Sequence, residues 1–445
     1  MTSYWADFAW LPTGLSRAVR MTVTDGRFAT VESRVPRRPE DVALTGGVVL
    51  PGLANAHSHV FQRGLRGRTQ TADSYLGWRT RMYDMADRLT PDLYLALGRA
   101  TFAEMALAGY TVVGEYHYLH HGPGGSRYHD PNAMGAALVQ AAAEVGIRLT
   151  LLDVVFLRGG LTADGYLPAT GVQARFCDGS VDAWADRMDR IDQTETLRRG
   201  AAIHSLRSVP REDAARVAAI VGDRPLHSYV SEQLPENLAC QMFYGASPTQ
   251  VLADAGVLGR EFTAVHAAHV DERDIALLAE AGAQVVVCPT SEADQADGMA
   301  PVRRLLDAGI PVGLGSDTQA VIDPFVEMRE VEMHERLGSG ERVRVRAAQL
   351  VRCAAQHGYQ SLGWYDGGAI SPGLLADFVL VDLETVRTAG SKPAEAIYTA
   401  TSADVRTVVV GGRVIVEDGK HTFGPIAPLL REALTMIRER SPQRA

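Results

Sequence analysis

Two histidines one residue apart, His57 and His59, close the run Leu50-Pro51-Gly52-Leu53-Ala54-Asn55-Ala56. Residues two apart on an extended segment project to the same face, so both imidazoles can share one cation. Alone, an HxH pair is a weak signal, because satisfied or surface histidines are commoner than ligands. It gains weight from other polar residues that end apolar runs: Glu115, His117 and Tyr118, then His204 and Arg207, then Glu232, His266 and Asp317. Imidazole and carboxylate bind and activate at a metal, glutamate carries protons, and guanidinium forks hold carboxylates. Such a set calls for close reading as a candidate site, with a shared cation at the two histidines as its first possibility.

Those residues need a scaffold that gathers strand ends. From about Tyr94 the sequence repeats a helix pattern, a closing glycine and a short apolar strand. Thr90-Pro91-Asp92 supplies a cap and a first-turn proline, the helix passes through Phe102 and Met105, Gly109 ends it and Thr111-Val112-Val113 follows. The grammar recurs around Gly222, Gly282 and Gly309. Strands are predicted near residues 48–56, 111–116, 147–154, 201–205, 225–230, 262–267, 284–288 and 311–316, alternating with helices. This predicts an α/β fold, a (β/α)₈ TIM-type barrel over residues 50–368, with its catalytic groups at the C-terminal strand ends. Residues 1–49 hold short strands and turns, and 407–416 read as a hairpin. Residues 1–49 and 369–445, the latter with a terminal helix, are therefore expected to pack as one small β-sandwich domain.

Composition narrows the function classes. With 53 acidic and 44 basic side chains the net charge is −9, which argues against nucleic-acid binding. No apolar run has the length of a membrane span, and the most apolar stretch, Leu149 to Leu157, is interrupted by Asp153. The N-terminal residues lack the basic start and apolar core of a secretory signal, so a cytoplasmic protein is expected. Cys177, Cys240, Cys288 and Cys353 form no CxxC pair and are expected to be buried reduced thiols.

Taken together the motifs resemble the amidohydrolase superfamily, in which a PG-x-x-x-x-H-x-H segment opens the barrel. Gly368-Ala369-Ile370-Ser371-Pro372-Gly373-Leu374-Leu375-Ala376-Asp377-Phe378-Val379 is similar to its return segment into the small β domain. Within the superfamily the sequence resembles the formimidoylglutamate deiminase family, iminohydrolases of histidine degradation. The motifs that carry this are His57-Ser58-His59-Val60-Phe61-Gln62-Arg63, Gly114-Glu115-Tyr116-His117-Tyr118-Leu119-His120-His121, His204-Ser205-Leu206-Arg207, Ser231-Glu232-Gln233, Cys288-Pro289-Thr290 and Gly315-Ser316-Asp317.

The resemblance implies one divalent metal, zinc by preference, held by His57, His59 and Asp317. It also implies catalytic roles for Glu232, Asp317 and His266, and a dicarboxylate substrate bound by Gln62, Arg79, Tyr118, His204 and Arg207. The family's fifth-strand histidine ligand does not carry over, because Tyr229 stands there. His227, two residues earlier, is read as an inner barrel residue. After Asp317 the family's Ser-His is Thr318-Gln319 here. These departures leave open metal binding with or without Tyr229 or His266, weak binding, or none. They also leave open a related amidine or guanidine substrate, formimidoyl transfer to an amine, or a metal-free binding protein. Glu115, His117, His120 and His121 are expected in supporting roles in preference to a second metal cluster. Self-association as a homodimer is left open.

Overall fold

The structure is a computed structural model that describes residues 1–71 and 75–440. Eight parallel strands follow one another around a barrel: Leu53–Ser58, Tyr110–His117, Arg148–Val155, Leu197–Ile203, Leu226–Val230, Phe262–His266, Gln284–Val287 and Val312–Leu314. Most of their residues are buried, as expected for parallel strands covered by helices. The eighth strand meets the first through a bridge between Ser58 and Asp317. The Ser316 and Asp317 N–H groups donate to the His57 carbonyl, and the His59 N–H donates to the Asp317 carbonyl. Barrel closure therefore sets His57 and His59 beside Asp317 by backbone register alone.

The Thr90 side chain caps the helix Pro91–Leu107, and Gly109 turns the chain into the second strand with φ +102°, where a side chain would be strained. The strand expected over 48–56 is two strands. Val42–Pro51 joins a separate sheet, and only Leu53–Ser58 enters the barrel. Gly52 is the crossing point: a Cβ there would lie 2.4 Å from Thr111 Oγ1 and 2.8 Å from Asp377 Cβ. The chain passes between the sheets where no side chain fits.

The second sheet is built from both ends of the chain, in the order Lys420–His421, Arg413–Glu417, Val405–Val410, Phe378–Asp382, Val42–Pro51, Thr2–Leu11, Gly14–Thr24 and Arg27–Glu32. The first two strands, of 10 and 11 residues, are longer than the short strands read from sequence. A buried pair ties this sheet to the barrel, with Arg148 Nε 2.7 Å from Asp377 Oδ2 and the Tyr359 hydroxyl donating to the same oxygen at 2.7 Å. The C-terminal helix Ile426–Glu439 leaves the sheet and packs on the helices Tyr75–Arg88 and Pro91–Leu107. All four cysteines are free; Cys240, Cys288 and Cys353 are buried, while Cys177 is half-buried, contrary to expectation. No helix among the described residues is long and apolar enough to cross a membrane.

Candidate metal centre and substrate pocket

His57, His59 and Asp317 meet at the barrel mouth, the single group of metal-binding side chains among the described residues. His57 Nε2 lies 3.4 Å and His59 Nε2 3.3 Å from Asp317 Oδ1. Ligands about 2.0 to 2.1 Å from one tetrahedral ion stand about 3.3 Å apart, so these separations fit a shared zinc-sized cation. Both ring nitrogens of His57 are buried without a hydrogen-bond partner, as a ligand's nitrogen needs. Burial pushes the His57 imidazole down to about 3 against the pull of Asp317, which keeps it neutral. Burial alone would raise the Asp317 carboxyl, but the imidazoles of His57 and His59, close against its Oδ1, and the charge on His266 hold it well below the usual range. The donor set therefore fits a divalent metal.

Tyr229 enters this cluster. Its hydroxyl is 2.6 Å from His59 Nε2, while His59 Nδ1 is 3.0 Å from the Tyr116 carbonyl. A carbonyl accepts only, so Nδ1 carries the proton and the Nε2 lone pair accepts the Tyr229 hydroxyl. The 2.6 Å spacing is shorter than a tetrahedral ligand edge and describes a hydrogen bond. Burial, with Asp317 nearby, raises the Tyr229 phenol well above its ordinary value, so it is neutral. The imidazole of His266 stacks on the Tyr229 ring at 5.4 Å and 21°. Burial alone would lower His266, but Glu292 at 3.2 Å, Glu232 and Asp317 lift it to about 10, making it a cation.

Two adjoining cavities extend from the cluster. The inner one, about 50 Å³, is lined by Gln62, Tyr118, His204, Arg207, Tyr229, Glu232 and Asp317, among others. The outer one, about 470 Å³, shares Met82, Tyr118, His204 and Arg207 and adds Arg79. The five residues expected to bind substrate thus line these two adjoining cavities. Gln62 Nε2 donates to the Tyr118 hydroxyl at 3.1 Å, leaving its buried Oε1 without a donor. Arg207 donates to Glu232 through Nη2 and lies over the Tyr229 ring at 5.9 Å. Burial, reinforced by Arg207, keeps His204 well below its ordinary value and therefore neutral.

The profile of the amidohydrolase family matches residues 48–415. The chain belongs to that family. It is 33% identical over 441 residues to formimidoylglutamate deiminase of Pseudomonas aeruginosa, covering 95% of this chain and 96% of that one. It is 31% identical to the 5-methylthioadenosine/S-adenosylhomocysteine deaminase of Natronomonas pharaonis, over 87% and 86% of the two chains. Its fold superimposes on an amidohydrolase from Brucella melitensis with a TM-score of 0.92 at 30% identity, covering 98% of this chain and all of the other. The protein is thus an amidohydrolase-family hydrolase acting on carbon–nitrogen bonds.

Other polar residues of this amidohydrolase find structural partners. His227 is buried with Nε2 2.7 Å from the Ser361 carbonyl, deep in the barrel and away from the cluster. Gln319 fills the place of the family's histidine with three hydrogen bonds: Nε2 donates to Ser58 Oγ and the Asp317 carbonyl, and Oε1 accepts from Ser316 Oγ. Ser58 in turn donates to Glu115, which also accepts from the Val60 N–H. Burial raises Glu115 to about 8 despite these two donors. His120 and His121 face Asp153 and Asp178, two carboxylates that Arg187 bridges.

Three carboxyls escaped the sequence reading. Glu292, partner of His266, lies in the first turn of the helix Pro289–Gln295 that follows Cys288-Pro289-Thr290. Glu236 lies in the first turn of Leu234–Tyr244, after the Ser231-Glu232-Gln233 motif. Asp297, buried near Glu232, accepts from Gln233 Nε2 at 2.6 Å. Acidic residues in a first turn satisfy helix ends, so the sequence signal of Glu292 and Glu236 is indistinguishable from capping, while Asp297 follows the end of Pro289–Gln295 in no motif. The site also carries backbone strain that no motif announces. Ser231, His266, Ala267, Asp317 and Gln319 all have positive φ between 40° and 72°. Each costs about 1–3 kcal/mol and is held by the surrounding barrel, which fixes the aim of Asp317 and His266.

Proposed function

We propose that this amidohydrolase hydrolyses N-formimidoyl-L-glutamate to N-formyl-L-glutamate and ammonia. The observation that carries the reading is what lines the two adjoining cavities. A metal-type cluster stands at their floor, an unpaired acceptor on Gln62 at their wall, and two guanidinium groups, Arg79 and Arg207, around their outer part. A formimidoyl group offers N–H donors to such an acceptor, and two carboxylates call for two arginine forks.

A divalent metal, zinc by its imidazole and carboxylate donors, would be held by His57, His59 and Asp317 and would lower the pKa of water. Asp317 accepts the proton of the water that adds to the formimidoyl carbon. Glu232 delivers a proton to the terminal nitrogen as the water oxygen adds; it then takes the proton of the new hydroxyl while Asp317 passes its own proton to the same nitrogen, so the bond from that nitrogen to carbon breaks, the formyl carbonyl forms and ammonia leaves. His266, held as a cation, balances the charge that gathers between Asp317 and Glu232. Substrate carboxylate drawing on Arg207 competes with the Arg207–Glu232 pair, which releases Glu232 toward the reacting nitrogen. Gln62, Tyr118 and His204 orient the formimidoyl arm.

Ammonia release from N-formimidoyl-L-glutamate, with zinc supplied, tests the reading. The expected outcome is turnover that saturates with substrate and is lost in Asp317→Asn. Release at the buffer rate refutes it.

A further inference from the structure

Arg207 is flanked by more negative charge than a carboxylate-binding arginine should tolerate. Glu232 pairs with it directly, and Glu236, 1% exposed, lines the same outer cavity. Glu236 Oε2 accepts from the Glu232 N–H at 3.1 Å, while Oε1 is buried without any partner. Were Glu236 ionised, an incoming carboxylate would meet a second buried anion beside its arginine. A proton on Oε1 removes that repulsion and makes the unpartnered atom a donor. Burial raises this carboxyl to about 7, against the pull of Arg207. The charged and titratable groups facing it are Glu232, Arg207 on the fourth-strand connection, His266 at the end of the sixth strand, Cys240 one turn further on its own helix, and Tyr116 on the second strand.

We infer that Glu236 is a specificity-determining residue that binds as a neutral acid, its Oε1–H donating to the substrate carboxylate that Arg207 holds. This rests on the dicarboxylate reading of the pocket and deepens it. Binding is then coupled to protonation: the pocket selects a carboxylate whose arrival finds Glu236 protonated. A hydrogen bond from a neutral carboxyl to a carboxylate is of the strong, charge-assisted kind.

The test is the affinity for N-formyl-L-glutamate by calorimetry at pH 6 and pH 8, in the wild type, Glu236→Gln and Asp297→Asn. If only the protonated form of a group with pKa near 7 is competent, wild-type affinity is about tenfold weaker at pH 8. Glu236→Gln keeps an acceptor for the Glu232 N–H and a permanent donor toward the ligand, so its affinity is expected to vary less than twofold. Asp297, raised to about 7 by burial and Glu232, titrates in the same window, and Asp297→Asn should keep the tenfold dependence if Glu236 is its source. Wild-type binding at pH 8, compared across buffers of different ionisation enthalpy, should take up about 0.9 proton, a readout that needs no variant. No proton uptake, or a tenfold dependence surviving in Glu236→Gln, overturns the inference. Ligand binding with this dependence but without ammonia release would sink the proposed reaction and leave Glu236 standing. Turnover with flat binding does the reverse, and absence of binding at both pH values removes both.

Discussion

The Tyr229→Phe substitution probes the relation between Tyr229 and the metal cluster. The phenol hydroxyl occupies the lone pair of His59 Nε2 at 2.6 Å, and the same lone pair must turn to a metal. The His59 ring has no alternative, because its other nitrogen is bonded to the Tyr116 carbonyl. Metal binding therefore competes with a neutral, buried hydrogen bond, a contact worth about 1 kcal/mol net. Phenylalanine keeps the ring stacked on His266 and removes only the competitor, so zinc should bind about fivefold more tightly. Tyr229→His exceeds that gain if its nitrogen reaches the ion as a fourth ligand. Competition with a chromophoric chelator at neutral pH measures both affinities directly and does not depend on turnover. If Tyr229→Phe weakens zinc binding instead, the phenol is itself a ligand and the competition argument fails.

Other consequences are measurable. Arg187 bridges the buried carboxylates of Asp153 and Asp178, so Arg187→Leu removes their shared cation and leaves Asp153 with His120 and the Trp184 N–H and Asp178 with His121. The expected loss is about 3–5 kcal/mol in denaturant unfolding, and a loss below 1 kcal/mol would contradict the bridge. Glu115 is raised to about 8 in the fold from an ordinary value near 4.5. Its contribution is fully present below that ordinary value and is lost as pH rises toward 8, by about 1.4 kcal/mol per unit. Wild-type stability should accordingly fall between pH 5 and pH 8 more steeply than that of Glu115→Gln, and parallel curves would refute the assignment. Gln62→Leu removes the unpaired acceptor and the donor to Tyr118. It should lower kcat/KM for formimidoylglutamate about tenfold or more, the cost of an unmatched polar group in the pocket. An unchanged value would mean that Gln62 does not meet the formimidoyl nitrogen.

The barrel was legible because its repeating unit is written locally: a capped helix such as Thr90 onward, a glycine such as Gly109, then an apolar strand. His57, His59 and Asp317 were legible because strand ends are where such a barrel exposes chemistry. What stayed hidden depends on contacts between distant segments. The strand break at Gly52 is dictated by Thr111 and Asp377, which sequence spacing does not bring together. Tyr229 could be recognised as an altered ligand position, yet its bond to His59 follows from the barrel register and from Tyr116 fixing the tautomer.

These hidden contacts change how the altered positions bear on chemistry. Gln319 replaces a histidine but is hydrogen-bonded to Ser58, Ser316 and the Asp317 carbonyl, so that exchange is absorbed by structure. Tyr229 is different, because its bond ends on the one nitrogen that a metal at His57 and Asp317 would also need. The two departures from the family pattern are therefore unequal: one is satisfied by its hydrogen-bond partners, the other would set the strength of a metal bound at His57, His59 and Asp317. Tyr229 also lines the inner cavity and carries Arg207 over its ring, so Tyr229→Phe, which keeps the ring and removes only the hydroxyl, separates metal affinity from ligand recognition. The Tyr229 and Glu236 variants address them independently, the first through chelator competition and the second through the pH dependence of ligand binding.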